Sequence, residues 1–148
     1  MKSNFQRTAD WLAACGKTPS DKDLGTQYGC HLEELAELLD ETIIIGSAAD
    51  NDALMVASTR IKGIAHRLKQ GTTSIRIKDR VKALDALCDA EVTGNGVAFL
   101  AGFRKDEADF RVLRSNDSKL VDGKALLAPG GKIMKGPNYH PPFLDDLV

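Results

Sequence analysis

The stretch Gln27–Glu41, QYGCHLEELAELLDE, decides how the chain is read. Leu32, Leu35, Leu38 and Leu39 recur at helical spacing and give it a packed side, while Glu33, Glu34 and Glu37 form an EExxE set on the same element. With about 100° between successive residues, Glu33 and Glu37 stand one turn apart and Glu34 neighbours Glu37. Three carboxylates crowded on one edge repel by roughly a few tenths of a kcal/mol per pair. Either that edge is a solvated helix face, or a cation neutralises it.

The rest of the chain frames this helix. Its 148 residues suffice for one domain with a real core, and 28% charged residues with few aromatics point to a soluble, mostly helical protein. The 20 basic and 21 acidic residues leave a net charge of −1, which excludes a global basic field for a nucleic acid polymer or a membrane surface. No segment approaches the roughly 20 apolar residues that span a bilayer, and no apolar run follows Met1-Lys2-Ser3 as in a signal peptide. Cys15, Cys30 and Cys88 are odd in number, far apart and without zinc-site spacing, so a reduced, cytoplasmic compartment is expected.

Taken in order, Ser3 or Asn4 caps a first helix with Phe5, Ala9 and Leu12 on one stripe and Gly16 as its stop. Trp11 lies beside that stripe, as a second packing surface or as the flat wall of a base pocket. Lys17 to Gly25 reads as a turn-rich connector before the EExxE helix, which Ile43-Ile44-Ile45-Gly46 closes. Leu54, Ala57, Ile61, Ile64 and Leu68 alternate steps of three and four, a bundle pattern that ends at Gly71.

A fourth helix, from about Asp79 to Ala101, is the most apolar of the chain, yet carries Asp85 and Asp89 one turn apart among Leu84, Leu87 and Cys88. Gly94 and Gly96 inside it each cost about 1 kcal/mol relative to Ala, which predicts close approach of another backbone and suits a subunit interface. A fifth helix is expected from Asp106 to Arg114, with Phe110 and Leu113 inward and Arg111 and Arg114 outside. Ser115 to Val148 shows no helical period, and Asp122-Gly123 and Gly130-Gly131 are turn signals that could bracket a small hairpin. The expectation is an all-α bundle of about five helices over 1–116, followed by an irregular tail over 117–148 that packs on the same or a neighbouring subunit.

If two antiparallel helices juxtapose Glu33, Glu34 and Glu37 with Asp85 and Asp89, the hard oxygen cluster suits Mg²⁺ or Mn²⁺. Di-iron is disfavoured, because no Asp or Glu lies three residues before His31, His66 or His140. Arg114, Ser115, Asn116, Ser118 and Lys119 form a donor group fit for phosphate, and Lys132, Lys135, Asn138 and Tyr139 could add a second. His31 reads as a packing residue and Cys88 as buried filler.

The order EExxE, then DALxD (Asp85-Ala86-Leu87-Cys88-Asp89), then VxRSNxSK (Val112 to Lys119), then DGK and KGPNYxPP (Lys135 to Pro142) resembles the all-α nucleoside triphosphate pyrophosphohydrolases. Within them it is similar to the MazG-like group, also described as phosphoribosyl-ATP pyrophosphohydrolase-like, which is often met in bacteria and their phages. The resemblance implies a helical bundle assembled as a homodimer or homotetramer, two or more Mg²⁺ or Mn²⁺ ions per site, and cleavage of a nucleoside triphosphate to the monophosphate and pyrophosphate. It implies Glu33, Glu34, Glu37 and Asp89 as metal ligands, and Asn116 and Lys119 as phosphate contacts. Many members carry ExxD on the second helix; here the Glu position is Ala86, and Asp85 stands one residue earlier as its candidate replacement. Glu34 or Glu33 is then the residue that orients or deprotonates the attacking water. Arg114, Lys135, Tyr139 and Trp11 are candidates for the rest of the substrate, with the base against Trp11 or Phe5. Two alternatives stay open: a phosphoribosyl-ATP pyrophosphohydrolase, and a non-catalytic helical module that oligomerises or regulates.

Overall fold

A computed structural model describes residues 2–127 and 133–148. The fold is all-α: α1 (Asn4–Ala14), α2 (Asp21–Asp40), α3 (Ala48–Lys69), α4 (Arg80–Leu100) and α5 (Lys105–Asp117), followed by a two-stranded ribbon of β1 (Leu120–Val121) and β2 (Lys124–Ala125) and a final 3₁₀ turn, Asp145–Leu147. Contacts group these into two compact units, Pro19–Ile77 on one hand and Met1–Thr18 with Lys78–Val148 on the other. Among the described residues, no helix is long and apolar enough to cross a membrane.

The first unit is the α2–α3 pair. Ser20 caps α2 by accepting from the Asp23 amide at 3.2 Å, and Asp21 and Asp23 place negative charge on its first turn. The helix therefore starts well inside the expected connector, at Asp21. Its inward face takes only part of the leucine side: Gly25, Gly29 and Ala36 are buried and Leu32 and Leu39 half-buried, whereas Leu35 and Leu38 are exposed. The reason is a close backbone approach. A Cβ on Gly29 would stand 2.9 Å from the Ala65 carbonyl oxygen and 3.1 Å from the Leu68 Cβ, so only glycine fits. Opposite this line, α3 buries Ser58, Ala65 and Leu68 and leaves Ile64 exposed. Ser58 satisfies its buried hydroxyl with the Ala36 carbonyl at 3.1 Å and the Asp40 carboxylate at 2.5 Å.

In the second unit, Ser3 and Gln6 close a capping box on α1, and the α1 chain turns off at Gly16 with φ +73. Phe5, expected inside, is 81% exposed. Instead α1 holds α5 through polar contacts: Arg7 to Asp117 at 3.0 Å, Asn4 to Asp109 at 3.3 Å, and the Trp11 indole N–H to the Asn116 carbonyl at 2.9 Å. Helix α5 runs three residues past the expected end, to Asp117. Helix α4 has the expected extent, with Asp79 as N-cap, but it buries only Ala98. Cys88, read as buried filler, is exposed, and so are Asp85 and Asp89, so their charges carry no burial penalty here. A Cβ on Gly94 or Gly96 would meet nothing within 4 Å, so the close backbone approach expected there is not made by the described residues of its own unit.

The ribbon is a hairpin whose tip is Asp122-Gly123, both at positive φ (50 and 75), which is the primed-turn geometry that matches strand twist. That turn signal is thus the apex of the hairpin. The Gly130-Gly131 signal lies outside the described residues. The chain end folds back onto α5: Leu147 is buried, its carbonyl accepts from the Arg104 amide at 2.9 Å, and the Ser115 hydroxyl donates to the His140 carbonyl at 2.8 Å.

Two glycine substitutions should part in sign. Gly29→Ala should lower stability by about 1–3 kcal/mol through overpacking against backbone, whereas Gly94→Ala should raise it by about 0.5–1 kcal/mol because its Cβ points into open space. Thermal unfolding of both variants reads the difference.

Candidate functional site

The carboxylates of α2 divide according to which side of the helix the glycine line pins down. Glu33 is half-buried and pairs with the Lys69 ammonium of α3, while Glu34 and Glu37 are exposed. One turn further on, Asp40 pairs with Lys62. The hydrogen bond from Lys62, then that from Ser58, holds the Asp40 carboxyl below its ordinary range, and the same contact raises the Lys62 ammonium, helped by the fields of Glu37 and Glu33. Lysines of α3 therefore supply part of the cationic neutralisation that the crowded EExxE edge requires. His31 is exposed on the same helix.

As a donor set, Glu33, Glu34 and Glu37 offer only hard oxygens, the chemistry that Mg²⁺ and Mn²⁺ prefer. Among the described residues, no three His, Cys, Asp or Glu side chains are gathered closely enough to hold a metal ion. Asp85 and Asp89 belong to the other unit, one turn apart on α4 and open to solvent.

The phosphate candidates separate because α5 continues through Asn116. Residues that a loop would have kept together are spread over a helix surface by about 100° per step. Asn116 and Lys119 stay together: the Lys119 ammonium donates to the Asn116 side-chain oxygen at 2.8 Å and lies 5.8 Å from the centroid of the Trp11 ring. The Trp11 ring in turn is fixed by its bond to the Asn116 carbonyl. An amide and an ammonium three residues apart thus meet an indole face drawn from a position 105 residues before the amide. Trp11 also lines a half-open cavity of about 330 Å³ together with Lys2, Arg7, Asp10, Ala14 and Asp117.

The segment after the ribbon reaches the same corner. Gly136 passes so close to residue 119 that a Cβ on it would stand 3.0 Å from the Lys119 carbonyl oxygen, and Lys135 lies 4.5 Å over the Tyr139 ring. Lys135 and Tyr139 are thereby carried on a turn seated against the backbone of Lys119. Arg114 is not part of this group. It lies 5.8 Å over the Phe110 ring, whose centroid is also 5.6 Å from Arg7, and it lines a second cavity with Arg111, His140 and Phe143. Lys132 lies outside the described residues.

Several residues that shape these sites were not singled out in the sequence. Lys69 and Lys62 meet their partners across 36 and 22 residues, a separation that carries no local signal. Arg111 was expected on the outside, yet it is a latch: it bonds Glu107 at 3.0 Å, the Phe143 carbonyl at 2.8 Å, and both Asp146 oxygens at 2.5 and 2.9 Å. Only the Glu107–Arg111 spacing of four was a readable cue. Cys15, buried near the base of α1, has its thiol pushed up by desolvation, which makes it a poor nucleophile.

No family model matches this chain, and no curated protein and no solved structure matches it. The functional reading therefore rests on the motifs and on the geometry above.

The latch has a pH dependence with a definite sign. The Arg111 hydrogen bonds hold the Asp146 carboxyl below its ordinary value of 3.8, and Asp146 raises Arg111. A depressed carboxyl contributes stability that is present above its unfolded pKa and is lost as pH falls through the folded one. The chain end should thus stay docked at neutral pH and release only below about pH 4. The Arg104 amide resonance followed by NMR reports this, and Arg111→Ala should show the released position already at pH 7; an Arg104 amide indifferent to both would contradict the latch.

Proposed function

We propose that the protein is a metal-dependent nucleoside triphosphate pyrophosphohydrolase that converts a (d)NTP to the monophosphate and pyrophosphate, in control of a nucleotide pool. The observation that carries this reading is the meeting of Trp11, Asn116 and Lys119, with the Lys135–Tyr139 turn seated against it. Asn116 and Lys119 belong to the VxRSNxSK motif, where the resembled family contacts phosphates, and Lys135 and Tyr139 belong to the KGPNYxPP motif. Their chemistry suits the parts: an ammonium and an amide for phosphate oxygens, and a fixed indole plane for a base.

In this reading Glu33, Glu34 and Glu37 hold the divalent ions, with Asp89 and, in place of the glutamate missing at Ala86, Asp85. Bound Mg²⁺ or Mn²⁺ would supply Lewis acidity and charge neutralisation at the phosphates. Glu34 or Glu33 orients the attacking water and accepts its proton, and Lys119 stabilises the charge that grows on departing pyrophosphate. Glu33 exchanges its contact with Lys69 for this role. The active form is a homodimer or homotetramer in the cytoplasm.

The Glu33–Lys69 contact favours a second reading, in which α2 presents an ion-paired structural face and the chain is a non-catalytic helical module. Manganese titration separates the two: binding that requires Glu37 supports the enzyme, and no binding with or without nucleotide supports the inert module. A phosphoribosyl-ATP substrate would show as activity on that compound and none on free dNTPs.

Glu37→Gln should abolish pyrophosphate release in the presence of Mg²⁺. Lys119→Met should raise KM and lower kcat together, by about tenfold or more in kcat/KM, if its ammonium meets the phosphates in both ground and transition states. Full turnover in either variant would remove that residue from the mechanism.

A further inference from the structure

We infer that Ser115 and Ser118 are positioning residues of the nucleotide site, which clamp the backbone of His140 and so fix the Lys135–Tyr139 turn beside Asn116 and Lys119. This rests on the pyrophosphohydrolase reading above, and it replaces the expectation that the two serines donate to phosphate. A hydroxyl has one proton to give. Ser115, 4% exposed, donates its proton to the His140 carbonyl at 2.8 Å, and Ser118 donates its own to the Ser115 carbonyl at 2.7 Å. The Ser118 oxygen also accepts from the His140 amide at 3.1 Å. Both serine protons are therefore committed to protein carbonyls. Both backbone groups of His140 are in turn held by side chains from one helix end.

A second hold acts on the same turn. Tyr139 closes it by donating its amide to the Gly136 carbonyl at 3.1 Å, with Pro137 at the position where a fixed φ is favoured. At its start, Gly136 is buried, and a Cβ there would stand 3.0 Å from both the Lys119 carbonyl oxygen and the Val121 Cγ2. In the chain, Tyr139, with Lys135 over its ring, thus lies between a close backbone contact and the serine clamp. The sequence SNDSK accordingly carries two interleaved pairs at a spacing of three. Ser115 and Ser118 grip the turn, while Asn116 and Lys119, one residue on, meet each other and Trp11. The end of α5 thereby places the turn and the Lys119 ammonium relative to each other.

Steady-state kinetics of the full chain, on the triphosphate it hydrolyses best, test the clamp. Ser118→Ala should raise KM about fivefold to tenfold with kcat nearly unchanged, as for the loss of binding common to ground and transition states. Ser118→Thr, which keeps the hydroxyl, should restore KM. In a chain that already carries Lys135→Ala and Tyr139→Ala, Ser118→Ala should raise KM by no more than about twofold, because a clamp acts only through the groups it holds. A serine that bound phosphate itself would cost the same factor in both backgrounds, and a merely structural one would lower the unfolding midpoint without separating KM from kcat; either result overturns the assignment. Hydrogen exchange at the His140 amide, read without nucleotide, should quicken about tenfold or more in Ser118→Ala. Equal exchange in both chains overturns the clamp whatever the turnover. A wild-type chain that hydrolyses no triphosphate, with His140 protected through Ser118, overturns the pyrophosphohydrolase reading and the positioning role with it, and leaves the clamp as a contact of the fold.

Discussion

The approach of the α2 backbone to the α3 backbone at Gly29 is the contact on which the α2–α3 unit depends. Because no side chain fits there, Gly29 must face α3, and buried Ala36 lies on the same line, its carbonyl accepting from the Ser58 hydroxyl of α3. Everything else on α2 follows from that rotation. Glu33 falls beside Lys69 and Asp40 beside Lys62, at the flank of the contact, while Glu34 and Glu37 point to solvent. The geometry that selects the exposed acids is thus set by glycine and alanine.

In the other unit the organising contacts are polar and long in sequence. Trp11 and Arg7 of α1 reach the last turn of α5, and Arg111 of the same helix gathers the chain end through Asp146 and the Phe143 carbonyl. Such pairs at partly exposed positions contribute modestly each, but they set direction. They bring an aromatic plane, Asn116 and Lys119 to one corner and seat the Lys135–Tyr139 turn against it. Helix α4, the most apolar element, buries only Ala98 in this unit.

Much of this was legible in the sequence, for physical reasons that can be named. Helix existence followed from apolar spacing, and the cap of α1 from Ser3, whose side chain accepts from a first-turn amide as local chemistry predicts. The Asp122-Gly123 hairpin tip was readable because only such residues take two successive positive φ angles easily. The start of α2 was not, because Pro19 and Gly25 resemble loop residues until it is known that Ser20 caps the helix at Asp21. The end of α5 was missed for a similar reason: Ser115, Asn116 and Asp117 favour turns, yet buried Ser115 and the bond from Trp11 to the Asn116 carbonyl hold them in the helix. Of the site, the EExxE set and the Asn116–Lys119 pair were visible as motifs. The lysines opposite α2 and the removal of Arg114 to another face are tertiary outcomes, and no local pattern encodes them.

The proposed reaction is the splitting of a nucleoside triphosphate between its α and β phosphates. The most direct measurement is phosphorus NMR of the products when the full chain is incubated with canonical and modified nucleoside triphosphates and Mg²⁺ or Mn²⁺. The account predicts nucleoside monophosphate and pyrophosphate in equal amounts from at least one of them, with none formed when the metal is chelated. Orthophosphate with nucleoside diphosphate, or no product from any triphosphate, would contradict it.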